Sequence, residues 1–507
     1  MDKEKIMGAY LLGLDNGGTI TKVALYDLKG HEVAVSSRKT ALIQPEPGFT
    51  ERDGDEMWAA NVGAIRSVLS EAGISGEEVL GVAATGHGNG LYLTRADGTP
   101  AYNGIISTDS RGKEFAIAWN SDGTFERILP KTMQSCWAGQ PTTILRWFMK
   151  YRPEVLTDTR WILMCKDFIR MKLTGEPYAE ITDYSGSSLM NVRDVCYDRV
   201  LLAEMGLESI YDKLPPLKYA GEICGRVTEE AAGLTGLKAG TPVAGGSMDI
   251  HASAMAVGVT DENTMCVVAG TWSINEYISR KPVVDKDLFM TSIDTIPGYW
   301  MILEGSPTSA SNLEWFLTEI LRDVDLKGKD IYEVSNASVE KIGEQDCGLV
   351  FLPFLFGTNV HVNAKGAFVG LQSWHTRGNM LRAVYEGIVF SHRYHIEKLL
   401  KYRDKPALIR MAGGVAKSEI WVQMFADVLQ TPIEVARSQE LGALGAAICA
   451  GVATGVFASF KEASTSMVDV MYTAKPDPAK KAIYDKKYVR YRKVIDALDG
   501  VWDDWDV

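Results

Sequence analysis

Cysteine is scarce and scattered. Its seven residues, Cys136, Cys165, Cys196, Cys224, Cys266, Cys347 and Cys449, are odd in number and never spaced as CxxC. That pattern argues against a disulfide framework or a cysteine zinc site and for core thiols in a reducing cytoplasm. Long apolar runs are also missing: none approaches the roughly 18 residues of a membrane span, so no transmembrane helix is expected. Basic residues fall short of acidic ones, 53 Lys and Arg against 65 Asp and Glu, and the net charge of −12 speaks against nucleic acid as a partner. A local anion cradle with Mg²⁺ can still outweigh that global field for a nucleotide. No low-complexity linker divides the chain. Its start, Met1-Asp2-Lys3-Glu4-Lys5, leads toward a strand rather than into a signal-peptide core.

What is present is an ordinary globular composition, 46% apolar and 23% charged, over 507 residues. At about 100–200 residues per domain that length predicts two or more domains. The most informative stretch is Leu12-Gly13-Leu14-Asp15-Asn16-Gly17-Gly18-Thr19-Ile20-Thr21-Lys22, followed by the strand pattern Val23-Ala24-Leu25-Tyr26. It reads as a β-hairpin whose tip is a phosphate cradle. Gly17 and Gly18 bring backbone N–H groups close to a ligand, Thr19 and Thr21 offer hydroxyls, and Lys22 offers a cation. Asp15, just before the turn, is placed to hold a hydrated Mg²⁺. Strand, Gly-Thr turn and strand recur in Cys266-Val267-Val268-Ala269-Gly270-Thr271-Trp272-Ser273-Ile274-Asn275-Glu276-Tyr277-Ile278. Two such hairpins facing each other across a cleft would clamp one nucleotide.

Between and beyond the hairpins, periodicity predicts helices over 51–71, 141–150, 167–172, 250–258, 312–322, 379–401 and 441–451, with helix pairs closing the chain and a frayed tail from 501. Val79 to Ala84 reads as a strand ending in the glycine-broken loop Gly86-His87-Gly88-Asn89-Gly90. Ile105-Ile106-Ser107 is a strand end followed by Thr108-Asp109-Ser110-Arg111. Functional groups of α/β folds gather at such strand ends. Thr241 to Asp249 runs as strand, glycine pair and acid. A carboxylate so placed can face a cleft and accept a hydroxyl proton, which makes Asp249 the candidate base; by itself such an Asp is more often a helix N-cap. Ile409 to Gly414 is another strand and glycine turn, capped by Ser418. The run Glu440-Leu441-Gly442-Ala443-Leu444-Gly445-Ala446 predicts a helix whose small residues let backbones approach.

In this order the pieces resemble the FGGY carbohydrate kinases, of the actin–Hsp70–hexokinase fold group, over residues 10–490. The long signature Gly366-x-Phe368-x-Gly370-Leu371, seven residues, then Asn379-Met380-x-x-Ala383-Val384-Tyr385-Glu386 carries the likeness. A second signature, Gly139-x-Pro141-x-x-Ile144-Leu145-x-Trp147-Phe148, has Ile144 where the family has Lys and departs again at Tyr151. Within the family, Ser306-Pro307-Thr308-Ser309, Asn312-Leu313-Glu314-Trp315-Phe316, Phe351-Leu352-Pro353-Phe354-Leu355 and Tyr385 to His392 look like the bacterial L-xylulose kinase branch. Asn89 stands where that branch carries Lys and D-xylulokinases carry His.

The resemblance implies an α/β fold of two actin-like ATPase (ribonuclease H-like) domains with a central cleft: 8–258 for sugar and phosphate, 259–455 for nucleotide, and C-terminal helices over 456–507. It implies an ATP- and Mg²⁺-dependent kinase for a terminal hydroxyl of a small ketose, L-xylulose or a related pentulose. Erythritol, erythrulose, glycerol and D-xylulose are the alternatives within the class. A silent sugar sensor or a nucleotide-dependent chaperone of the same fold group is the alternative outside it. Site roles follow the matched positions: Asp249 as base and Asp15 for the metal; Gly17, Gly18, Thr19, Lys22, Gly270 and Thr271 for phosphates, Ile20 replacing a hydroxyl residue of some relatives; Ala310, Glu314, Gly413, Gly414 and Ser418 for the adenine nucleotide. His87, Asn89, Asp109 and Arg111 fall on the sugar side, although Asp109 and Arg111 alone would be a surface ion pair. His251 is expected beside the site rather than as a second base. The expected partners are a small sugar or polyol, no nucleic acid and no membrane, with a homodimer left open.

Overall fold

Along the first strand, Tyr10–Asn16, neighbouring side chains join different cores, as the period-two geometry of a strand demands. Leu12 and Leu14 pack with Val23, Leu25, Val82 and Val243 on one face, against Ile65 and Val68 of the helix Gly54–Ala72. Leu11, Ala24, Tyr26 and Ala83 pack on the other, against Leu444, Ala447 and Ile448 of the helix Leu441–Ala453. A sheet covered on both faces explains why these strands read as near-continuous apolar runs. The computed structural model describes residues 8–324, 328–361 and 363–505; the expectations for Met1–Lys5 and for Asp506–Val507 lie outside them.

Two compact units form. The first comprises the described residues up to Thr260 together with Ile278–Ile302 and Arg437–Asp469. The second comprises Asp261–Tyr277, Leu303–Ala436 and the described residues from Val470. This division is discontinuous, whereas the scheme 8–258, 259–455 and 456–507 cuts the chain serially. The helix Leu441–Ala453 joins the first unit by burying Ala443, Ala446 and Ala450 in its core.

The first unit's sheet runs in the order Ile223–Arg226, Pro242–Ala244, Val79–Gly86, Tyr10–Asn16, Ile20–Tyr26, Glu32–Lys39. Starting from Ile20–Tyr26 and moving toward Ile223–Arg226, the pairings are antiparallel, parallel, parallel, antiparallel. In the second unit Ser273–Ser279, Thr264–Ala269, Leu408–Ala412, Ile433–Ala436 and Val470–Ala474 lie side by side in that order. Their pairings are again antiparallel, parallel, parallel, antiparallel. The internal duplication therefore extends from the two hairpins to five strands of each sheet.

Most expected helices form with bounds shifted by one to three residues, and three departures have a physical cause or consequence. The helix expected from 51 starts at Gly54, because Asp53 caps it by accepting from the N–H groups of Asp55 and Glu56. Glu51 and Arg52 instead pair as a strand with Ile105 and Gly104. The helix expected over 312–322 is α-helical over Ser311–Trp315 and continues as a π-helical turn over Phe316–Ile320. The tail from 501 is ordered at its start: Val501 and Trp502 form the last turn of Lys481–Trp502, and the buried Trp502 indole packs edge-on against Trp505 at 5.3 Å.

Candidate active site

Each unit carries its own cluster of functional groups. In the first, the hairpin pairs Asp15 with Lys22 in register, and the turn spans 17–19. Gly17 is anchored from behind: its carbonyl accepts from a guanidinium N–H of the fully buried Arg52. Thr19 lies exposed at the tip. Thr21 turns inward and donates to Asn16 Oδ1 at 3.1 Å, so its hydroxyl serves the hairpin itself. Lys22, expected on a phosphate, forms an ion pair with Glu440 at 2.7 Å.

Asp15 lies against the start of the helix Leu441–Ala453. A Cβ built on Gly442 would sit 2.4 Å from Asp15 Oδ2, so only glycine admits the carboxylate there. Withdrawal from water raises the Asp15 pKa to about 6; Lys22 opposes the shift and Glu440 adds to it. The small-residue run in this helix was legible as a packing surface, but the carboxylate it faces was not.

Asp249 is the first residue of the helix Asp249–Ala256, not its N-cap, a position held by Met248. Its Oδ1 accepts from the N–H of Ile250 at 2.8 Å. The turn that delivers it needs Gly246, whose φ is +72° and whose added Cβ would lie 1.8 Å from the carbonyl oxygen of Ala84. Burial pushes the Asp249 pKa up to about 7, with the charges of Asp15 and Asp183 as further causes.

The loop after Val79–Gly86 carries the sugar-side candidates. His87 is buried, bonds Tyr92 Oη through Nε2 at 3.1 Å, and leaves Nδ1 without a hydrogen bond. Burial lowers its pKa to about 3, so the ring is neutral. Asn89 adopts φ +59°, a left-handed conformation that Asn tolerates better than most residues. Its Oδ1 is buried with no hydrogen-bond partner. His251 is neutral for the same reason as His87 and bonds Ser292 Oγ at 3.0 Å.

Asp109 and Arg111 form an ion pair, but a fully buried one rather than a surface one. Arg111 reaches Asp109 Oδ1 at 2.9 Å and Glu51 Oε1 at 2.7 Å, with its guanidinium 4.2 Å from the Phe49 ring centre. Both Asp109 oxygens are taken: Oδ1 also accepts from the Arg111 N–H and Oδ2 from the Thr50 N–H. This cluster ties the strand 51–52 to the 107–111 loop and leaves Asp109 no lone pair aimed at a ligand.

In the second unit a cavity of about 530 Å³ gathers Gly270, Thr271, Ala310, Glu314, Gly414 and Ser418, six of the residues singled out from sequence. The 270–272 turn is braced by the N–H groups of Ser309 and Ala310, which donate to the carbonyls of Thr271 and Gly270. His392 bonds Ser309 Oγ through Nε2 at 2.9 Å and Ser273 Oγ through Nδ1 at 3.2 Å, linking both sides of that brace. A Cβ on Gly270 or Gly414 would meet nothing within 4 Å, and neither has a positive φ. Neither protein packing nor backbone conformation requires glycine there, and a bare turn of this kind leaves room for a group to approach its backbone N–H groups. Gly413 differs: with φ +91° it packs on the Ala269 carbonyl and supports the turn from below.

The far wall of the cavity was not legible in the sequence. Tyr385 and Trp421 stack at 4.3 Å with 27° between their planes, and Tyr332 adds a third ring. Asn336 Oδ1 accepts from Tyr385 Oη and from Ser418 Oγ, each at 2.9 Å. Ser418 also caps the helix Glu419–Leu429, so its cap and pocket readings hold together. A flat aromatic wall, an amide and glycine N–H groups fit a purine nucleotide. Among the described residues no cluster of three or more His, Cys, Asp and Glu side chains stands in metal-binding geometry.

The comparisons with known proteins identify the class: an ATP-dependent sugar kinase. The N-terminal domain of the FGGY family of carbohydrate kinases matches residues 10–256, and the C-terminal domain matches 265–454. The chain belongs to that family. It is 37% identical to the L-xylulose/3-keto-L-gulonate kinase of Escherichia coli K12 over 97% of this chain and 98% of that protein. It is 35% identical to a probable L-xylulose kinase of Pasteurella multocida over 97% and 99%. A ligand-bound xylulose kinase from Lactobacillus acidophilus shares the fold, with a TM-score of 0.90 at 23% identity, covering 98% of this chain and 100% of that one.

Replacing Gly270 with Val fills the open face of the turn. Calorimetry with a non-hydrolysable ATP analogue should show at least about tenfold weaker binding at unchanged thermal stability. Unchanged affinity would remove the second hairpin from the nucleotide site.

Proposed function

We propose that this enzyme phosphorylates a terminal hydroxyl of a small ketose, L-xylulose or a related pentulose, with ATP and Mg²⁺, in the cytoplasm. The observation that carries the reading is Asp249: a carboxylate delivered by a strand and a glycine pair, with its proton affinity raised toward neutrality. A general base works best when its pKa lies near the working pH. The relatives named for L-xylulose support the choice of sugar, and seven unpaired cysteines support a reducing compartment.

In this reading Asp249 accepts the proton of the attacking hydroxyl. His87 and Asn89 orient the sugar; the open acceptor on Asn89 suits a hydroxyl donor. Asp109 and Arg111 serve the sugar side by holding its loop in place. Gly17, Gly18 and Thr19 offer backbone and hydroxyl donors to phosphate oxygens, as do Gly270 and Thr271. Lys22 joins them by exchanging Glu440 for phosphate. The stacked Tyr385 and Trp421 receive the base, flanked by Ala310, Glu314, Gly414 and Ser418. Asp15 would hold Mg²⁺ through water, a role that fits a carboxylate withdrawn from solvent with only partial compensation by Lys22. The metal supplies neutralisation of charge on the phosphates. Transfer through a loose transition state depends chiefly on positioning and charge, which are what these groups provide.

A coupled ADP-release screen across ketoses and polyols identifies the acceptor, and Asp249→Asn tests the base. The variant should bind the ATP analogue as the parent does and lose at least about 10² in turnover. Turnover within about threefold of the parent would exclude Asp249 as base.

Sugar choice is tested at Asn89, the position of Lys and His in the two similar branches. Asn89→Lys and Asn89→His should reorder kcat/KM among L-xylulose, D-xylulose and four-carbon substrates, since an unpaired buried polar group costs about 1–3 kcal/mol. A uniform drop with the ranking preserved would place discrimination elsewhere.

A further inference from the structure

The short helix Ile181–Ser185 touches both loops that carry the first unit's site. Asp183 is fully buried, and its Oδ1 accepts the backbone N–H of Asn89 at 3.3 Å. Its neighbour Thr182, also fully buried, accepts the backbone N–H of Met248 on Oγ1 at 2.9 Å, one residue before Asp249. The Thr182 hydroxyl proton goes in turn to Glu180 Oε2 at 2.6 Å. Asp183 and Glu180 converge on Lys166 Nζ at 3.1 and 3.3 Å, with Asp167 at 3.5 Å. All four side chains are fully buried.

The placement is costly in isolation. Lys166, Arg170, which pairs with Asp167 at 2.9 Å, and three carboxylates have been taken out of water, which rarely stabilises a fold over apolar packing of the same volume. What the cluster supplies is position. Asn89 holds a left-handed backbone that few residues adopt, and its N–H needs a fixed acceptor to stay there. Met248 ends the turn that starts with Gly245 and Gly246, and its N–H likewise has one acceptor. Both acceptors sit on adjacent residues of one helical turn, and the charge that pins them is Lys166.

We propose that Thr182 and Asp183, pinned by Lys166, are positioning residues that set the sugar loop at Asn89 and the base at Asp249 relative to each other. The proposal rests on the reading of these two loops as the sugar side of the site. Neither residue touches the substrate. Their loss should therefore register on the sugar and leave the nucleotide, whose cavity lies in the other unit, unaffected.

The test compares Asp183→Ala, Asp183→Asn and Thr182→Val by steady-state kinetics and by hydrogen exchange of peptides covering 86–91 and 246–250. Asp183→Ala should raise the sugar KM roughly tenfold, the size of one buried hydrogen bond, with the ATP KM unchanged. It should also speed exchange in 86–91. Asp183→Asn keeps an acceptor for Asn89 and should restore most of both properties. Thr182→Val keeps the shape of the side chain, should speed exchange in 246–250 and should lower kcat. If Asp183→Ala does not fold, Thr182→Val and Asp183→Asn decide by the same readouts. Unchanged exchange in both peptides, or equal increases in sugar and ATP KM, would overturn the proposal. A parent enzyme that phosphorylates no ketose or polyol would overturn the sugar-kinase reading of the loops, and the exchange measurements would still decide whether the brace exists.

Discussion

A carboxylate drawn away from water must be compensated by a proton, a cation or a hydrogen-bond donor, and the first unit of this protein leaves that demand partly unmet at several carboxyls, among them Asp15 and Asp249. Asp15 lies near the end of the strand Tyr10–Asn16 and Asp249 begins the helix that follows the strand Pro242–Ala244 of the same sheet; both have raised proton affinity, and each has a local cause for it. For Asp15 the helix Leu441–Ala453 presses in through Gly442, and Lys22 shares its charge with Glu440. For Asp249 the charges of Asp15 and Asp183 add to burial. In the proposed function this unmet demand is put to use: one group would take a hydroxyl proton, the other would hold a solvated cation.

That arrangement costs stability. A carboxyl whose folded pKa exceeds its unfolded value favours folding below the unfolded value, and the benefit is lost as pH rises through the folded one. For Asp249 the loss falls between about 4, the unperturbed value, and about 7. The rest of the unit compensates with apolar burial on both faces of its sheet. The second unit needs no such tension. Its cavity offers rings and donors, and its histidine hub, His392, is neutral and hydrogen-bonded at both ring nitrogens, to Asn275 and Ser273 through Nδ1 and to Ser309 through Nε2.

Much of this was legible in the chain, and the physical reason is locality. A Gly-Gly-Thr turn between two apolar strands, or a glycine pair before an acid, is defined by residues a few positions apart. Both hairpins, the placement of Asp249 after a tight turn, and Gly270, Thr271, Gly414 and Ser418 of the second unit's cavity follow from such short patterns, whereas Ala310 and Glu314 came only from the family resemblance. What escaped depends on chain segments that meet only in the fold. Arg52 anchors Gly17 from the other side of a hairpin, Asn336 joins Tyr385 to Ser418 across three helices, and Gly442 lies more than four hundred residues from the carboxylate it admits. Asp109 and Arg111 show the converse. Their spacing suggested a surface pair or a sugar contact, and the partners that bury them, Glu51, Thr50 and Phe49, come from an earlier loop and strand.

The central claim is that Asp249 is held poised by burial and by its acidic neighbours, and titration of its side-chain carboxyl carbon by NMR in the ligand-free enzyme tests it most directly. The account expects a midpoint near 7 that falls when Asp15 is replaced by Asn. A midpoint at the ordinary aspartate value of about 4, unmoved by that replacement, would contradict it.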